Sequence, residues 1–187
     1  MNLNIWFPTV VGTSYFPGAG AYADRMTSHL EKIKDTSNQT FFPHKIHQDE
    51  NFRLLNDWVK QEINKYCEAH TFKNLKVMNS WFNDYKKGDA QHSHFHPGSM
   101  ITAVYFLKGS PDDVPLVIKS PLPADMMNPR DVDPSRPDQN YNDLTAENLI
   151  IKPEQGLLVI FRSFIEHEVG LKITKEPRIT ITYLYSL

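Results

Sequence analysis

The period of the apolar pattern changes once along the chain, near residue 75, and that change limits the folds open to it. Before it, Phe52, Leu55, Val59, Ile63 and Tyr66 recur every three or four residues, which puts them on one face of a helix. Asp49 or Asn51 stands where such a helix needs a cap. A looser amphipathic pattern predicts an earlier helix over 21–33. After it, segments 75–85, 100–107, 116–118, 148–151, 156–161, 168–173 and 178–185 are short, alternating or β-branched, and bounded by turn residues. Helices followed by a run of strands predict an α+β, mainly β layout, with the first 74 residues packed as a helical support on a sheet or barrel. With 187 residues the chain suits a single domain. Segment 120–144 is rich in Pro, Asp and Asn and has no period, which predicts a long mobile loop that acts as a lid.

Charge and cysteine content exclude several classes of function. The 20 Lys and Arg against 22 Asp and Glu leave a net charge of −2, so nothing electrostatic points to a nucleic-acid partner. Cys67 is the single cysteine, so no disulfide forms within the chain, and a reducing, cytoplasmic setting is expected. The first ten residues lack a basic start and break at Pro8, unlike a signal peptide. No apolar run is long enough to span a bilayer, so no membrane role is expected. The sequence leaves oligomeric state open, a homodimer included.

Three of the eight histidines fall within five residues, in Gln91-His92-Ser93-His94-Phe95-His96-Pro97. On an extended backbone alternate side chains point the same way, so His94 and His96 would aim two imidazoles at one point, with Phe95 turned away into the packing. Pro97 favours extended backbone at His96. Neutral imidazole suits iron, zinc, copper or nickel, and spacing alone does not choose among them, nor between His92 and His96 as partner of His94. His167 is a third, distant candidate. His29, His44, His47 and His70 stand alone and are expected to be structural.

The order of features says more than the pair. A Tyr-x-x-Gly turn, Tyr85 to Gly88, precedes the His-x-His segment. A Tyr-containing strand, Val104-Tyr105-Phe106, follows it. Then come Phe161-Arg162-Ser163-Phe164-Ile165-Glu166-His167-Glu168-Val169 and, on the last strand, Arg178-Ile179-Thr180. With Trp81-Phe82-Asn83 and Gly88-Asp89, this series over about residues 75–187 resembles the 2-oxoglutarate, iron(II)-dependent oxygenases. Within them it resembles a bacterial and phage group that has His-x-His-Pro.

The resemblance implies a double-stranded β-helix (jelly-roll) barrel with N-terminal helices packed on one sheet. It implies iron(II) held by His94, His96 and His167, with His96 where most of the wider superfamily has Asp or Glu. It also implies O2 and 2-oxoglutarate as co-substrates and the far carboxylate held by Arg178 with help from Tyr85 and Thr180; Asn83, on the same strand face as Tyr85, is expected to line the same pocket. The implied reaction couples decarboxylation of 2-oxoglutarate to oxidation of a substrate, a small molecule or a protein side chain. On the last strand Arg178, Thr180 and Thr182 share one face and Ile179, Ile181 and Tyr183 the other, which suits a polar interior and an apolar back. Two rivals share a barrel and three histidines: a cupin-type enzyme that does not use 2-oxoglutarate, and a non-catalytic jelly-roll binding module. A cupin needs no cation facing the metal from the last strand, and a structural metal would be closed by a fourth ligand.

Overall fold

The computed structural model describes residue 1 and residues 8–34, 40–122 and 146–187. Their elements run β1 (Gly12–Tyr15), α1 (Ala19–Ile33), β2 (Phe41–Phe42), α2 (Arg53–Ala69), β3 (Lys76–Tyr85), β4 (Gln91–His94) and β5 (Ile101–Lys108). They continue with β6 (Leu116–Lys119), β7 (Asn148–Ile151), β8 (Leu157–Arg162), β9 (His167–Val169) and β10 (Arg178–Ser186). A six-stranded sheet has the order β1-β8-β5-β10-β3-β2, and a four-stranded sheet the order β4-β9-β6-β7. Their pairings are antiparallel. The protein is thus mainly β with two helices among the described residues. None of these helices is long and apolar enough to cross a membrane.

Alternation along the central strands separates two cores. Ala103, Tyr105 and Leu107 on β5, Leu158 and Ile160 on β8, and Ile179, Ile181 and Tyr183 on β10 pack with Met26 and Leu30 of α1 and Leu55, Val59 and Ile63 of α2. Their strand neighbours Val104, Phe106, Val159 and Phe161 turn the other way and pack with Leu116, Ile118 and Val169 of the four-stranded sheet. The six-stranded sheet therefore carries helices on one face and a second sheet on the other.

Several expectations are corrected. The first 74 residues are not only helical: β1 and β2 form the two edges of the six-stranded sheet. Both are too short to show a period of their own. The strand expected over 168–173 ends at Val169, where Gly170 begins an irregular segment. Phe95 does not pack inside; it turns outward and is 49% exposed. The expected lid, 120–144, lies outside the described residues from 123 onward.

Candidate active site

A cavity of about 390 Å³ lies between the two sheets, lined by β3, β5 and β10 on one side and by β4, β6 and β9 on the other. His94, His96 and His167 meet on its wall. One nitrogen from each lies within 4.8 Å of the others, and no fourth His, Cys, Asp or Glu joins the group among the described residues.

Local structure explains the convergence. His94 and His167 are direct cross-strand partners on β4 and β9, so their rings share a face, with centroids 4.3 Å apart. Gln91 pairs with Val169, so β4 carries one extra residue between Gln91 and His94. That bulge lets two residues an odd number of positions apart both face the cavity. It also turns His92 out to solvent, and His96, not His92, lies in the cluster with His94.

His96 lies beyond the strand. Its amide donates to the Ser163 carbonyl at 3.0 Å, and the Ser163 amide donates to the Met100 carbonyl at 3.0 Å. The fully buried Ser163 hydroxyl shares a 2.9 Å hydrogen bond with Thr102. The turn after Pro97 needs Gly98 at φ +82°, a conformation glycine adopts without strain, and the Ser99 hydroxyl closes it on the His96 carbonyl at 3.0 Å.

Tautomers follow from the partners. A carbonyl only accepts, so Nδ1 carries the proton in His94, bonded to the His92 carbonyl at 2.8 Å. The same holds for His167, bonded to the Ile165 carbonyl at 3.1 Å. Nε2 of each is left with its lone pair toward the cluster, the arrangement a metal ligand needs. Burial, and then the neighbouring imidazoles, push the His96 pKa down to about 3. Burial pushes His167 down to about 4 against the opposing effect of its bond to Ile165. Both are neutral donors at pH 7. The donor set therefore fits a divalent transition metal with open positions.

Arg178 reaches the same cavity from β10 and is fully buried. Its Nη1 donates to the Val114 carbonyl, its Nε has no partner, and no carboxylate pairs with it among the described residues. The guanidinium lies over the rings of Tyr85 (5.2 Å) and Phe106 (5.5 Å). Burial pulls its pKa down, and Tyr85 and Asp113 oppose that. Tyr85 is its direct partner on β3, and burial pushes that phenol up to about 12, so it stays protonated. Thr180 pairs with Asn83, whose amide donates to the Thr180 hydroxyl at 3.5 Å. The buried guanidinium with a free donor fits the carboxylate of an organic acid.

The isolated histidines are structural. Nε2 of His29 and of His44 each bonds Asp49 at 2.8 Å, His47 bonds Ser80 at 2.7 Å, and His70 caps the Tyr66 carbonyl at 2.9 Å. Sequence reasoning missed Phe41, Asn79, Gln91 and Leu184 on the cavity wall, and Trp81, named only in a motif, turns out to stand edge-on to His96 at 5.5 Å. The odd-numbered face of β3 signals Trp81 and Asn79 by period two from Tyr85. The two-residue β2 gives no signal for Phe41.

Residues 79–183, more than half of the chain, match the family described as "Putative 2OG-Fe(II) oxygenase". The chain belongs to this family of oxygenases that depend on iron(II) and 2-oxoglutarate. No curated protein sequence matches it. Solved structures share the fold at low identity. HygX from Streptomyces hygroscopicus with iron bound superposes with a TM-score of 0.64 at 16% identity, covering 95% of this chain and 82% of that one. HygX with nickel and 2-oxoglutarate bound gives 0.61 at 15%, over 95% and 82%. A Pseudomonas putida prolyl-4-hydroxylase gives 0.61 at 15%, over 95% and 87%.

Proposed function

We propose that His94, His96 and His167 hold the iron(II) of this oxygenase, that Arg178 with Tyr85 and Thr180 holds the far carboxylate of 2-oxoglutarate, and that the two sheets close as a double-stranded β-helix (jelly roll). The observation that carries the reading is a single cavity offering three convergent neutral imidazoles and a buried, incompletely paired guanidinium. Iron(II), when bound, supplies the redox chemistry that couples decarboxylation of 2-oxoglutarate to oxidation of the substrate. The chain's own groups bind and orient. Three imidazoles leave coordination positions open, the guanidinium forks onto a carboxylate, and the Tyr85 phenol, protonated at neutral pH, is a donor beside it.

The rest of the wall suits an uncharged group, on a small molecule or on a protein side chain. Among the described residues, the only acid, lysine or arginine lining the cavity besides Arg178 is Glu168, and it is paired with Lys119 at 2.8 Å.

Anaerobic titration with iron(II) and 2-oxoglutarate tests the reading through the metal-to-ligand charge-transfer band. Arg178→Met should still bind iron(II) yet bind 2-oxoglutarate roughly thirtyfold to a thousandfold more weakly, because a charged bidentate contact is lost. Arg178→Lys should be milder but still impaired, since one ammonium cannot reproduce the fork. A parent without the band, or a Met variant that binds as tightly as the parent, transfers the case to the cupin or binding-module reading.

A further inference from the structure

Asp113 and Lys172 form an ion pair whose side chains are 0% and 1% exposed, and no step above uses it. Burying two charges is costly, and such pairs add little net stability unless their remaining hydrogen-bond positions are filled. Here they are. Lys172 Nζ also donates to the Thr174 hydroxyl at 2.7 Å, and that hydroxyl donates to Asp113 Oδ1 at 2.7 Å. The Val114 amide donates to the same Oδ1 at 2.9 Å.

The network is tied to the site at both ends. The Val114 carbonyl, on the residue whose amide Asp113 fixes, is the acceptor for Arg178 Nη1. The Lys172 backbone is fixed on the turn that follows Tyr85: its amide donates to the Asp89 carbonyl and its carbonyl accepts from the Gly88 amide, both at 2.8 Å. Charge matters as well as geometry. Asp113 is close enough to Arg178 to favour its charged form, yet Lys172 holds the carboxylate, so the guanidinium is left available to a ligand.

We propose that the buried Asp113–Lys172–Thr174 network is a positioning device for 2-oxoglutarate binding: it fixes the Val114 carbonyl that aims Arg178 into the cavity and keeps Asp113 from taking the guanidinium itself. The inference rests on the reading of Arg178 as the co-substrate anchor. These are positioning residues, acting through Arg178 and not on the reacting atoms.

The test is a thermodynamic cycle on the full chain with four proteins: the parent, Asp113→Asn/Lys172→Met, Arg178→Met, and the triple variant. The double variant removes both charges together, so no uncompensated ion is left buried. Each is titrated anaerobically with iron(II), then with 2-oxoglutarate, and melted without ligands. The double variant should bind iron(II) as the parent does and 2-oxoglutarate about tenfold more weakly, the order of effect of removing a supporting hydrogen-bond shell. In the Arg178→Met background the same pair of changes should cost no further affinity, because the group they position is gone.

A double variant that melts lower but binds 2-oxoglutarate like the parent overturns the proposal, as does a loss that adds in full to that of Arg178→Met. If Arg178→Met alone binds as tightly as the parent, the anchor reading fails first and the proposal falls with it, a pattern distinct from the other two. Should the double variant not fold, Thr174→Val removes one bond to Asp113 without touching a charge. It should show a coupled loss of about threefold, and its absence counts against the proposal.

Discussion

His96 and His167 titrate far below an ordinary histidine, their pKa values pushed from 6.5 to about 3 and about 4, chiefly because burial penalises the imidazolium. The sign of the stability effect follows. Between about pH 4 and 6.5 the unfolded chain holds protons on these two groups that the folded chain does not. Stability therefore rises with pH across that window and is lost as pH falls through it. The metal-free protein should melt at a lower temperature at pH 4.5 than at pH 7, and His96→Gln should flatten the difference, measured by thermal scans at both pH values. Equal melting temperatures in the parent, or an unaltered difference in the variant, would reject burial as the cause. Asp49, whose pKa is lowered from 3.8 by its hydrogen bonds against burial, acts below this window and does not blur the comparison. At this scale the histidines and Arg178 were legible because each kept a residue type at a spacing tied to a strand. Asp113 and Lys172 were not. They are 59 positions apart, and only the folded chain brings them together.

The start of α2 shows how one side chain joins elements. Asp49 accepts from the Asn51 amide at 2.9 Å, which caps the short 3-10 turn Glu50–Phe52 leading into the helix. It also ties down His29 on α1 and His44 ahead of the turn, both at 2.8 Å. Asp49→Ala removes a cap and two charge-assisted contacts at once and should cost about 2 kcal/mol of unfolding free energy. Asp49→Asn, which still caps, should cost less. Urea unfolding measures both, and a loss below a few tenths of a kcal/mol in the alanine variant would show that solvent replaces these contacts. Iron(II) binding should not change, because Asp49 does not line the cavity. The sequence placed this cap on the helix itself, but the residue at the N-cap of α2 is Phe52, with no side-chain bond, and Asp49 caps the turn before it. The bulge in β4 was not readable: an inserted residue leaves no mark on a four-residue strand, and it reverses which side chains face inward.

The six-stranded sheet divides the molecule into a helix-backed core and a cavity-facing core, and the period of its strands wrote that division into the sequence. Ile179, Ile181 and Tyr183 against Arg178, Thr180 and Thr182 announced the two faces of β10. Nothing local announced strand order, since β5 and β10, the central pair, are joined by 69 intervening residues. The division predicts that stability and ligand binding can be varied separately. Leu55, fully buried on α2, packs in the helix-backed core. Leu55→Ala should destabilise by roughly 2–5 kcal/mol through lost burial and an unfilled cavity. Its melting temperature should still rise when iron(II) is added anaerobically, and rise again with 2-oxoglutarate. A ligand that binds only the folded state at a hundred times its Kd stabilises by about 2.7 kcal/mol, whatever the starting stability. His167→Ala should show the reverse: little change in the metal-free melt relative to Leu55→Ala, but no step with iron(II) and only a weakened step with 2-oxoglutarate, since Arg178 alone is left to hold it. Differential scanning of the three proteins reads both patterns. If Leu55→Ala abolishes the ligand steps while remaining folded, the two cores are coupled through the sheet, and the helices hold the geometry of the site as well as its stability.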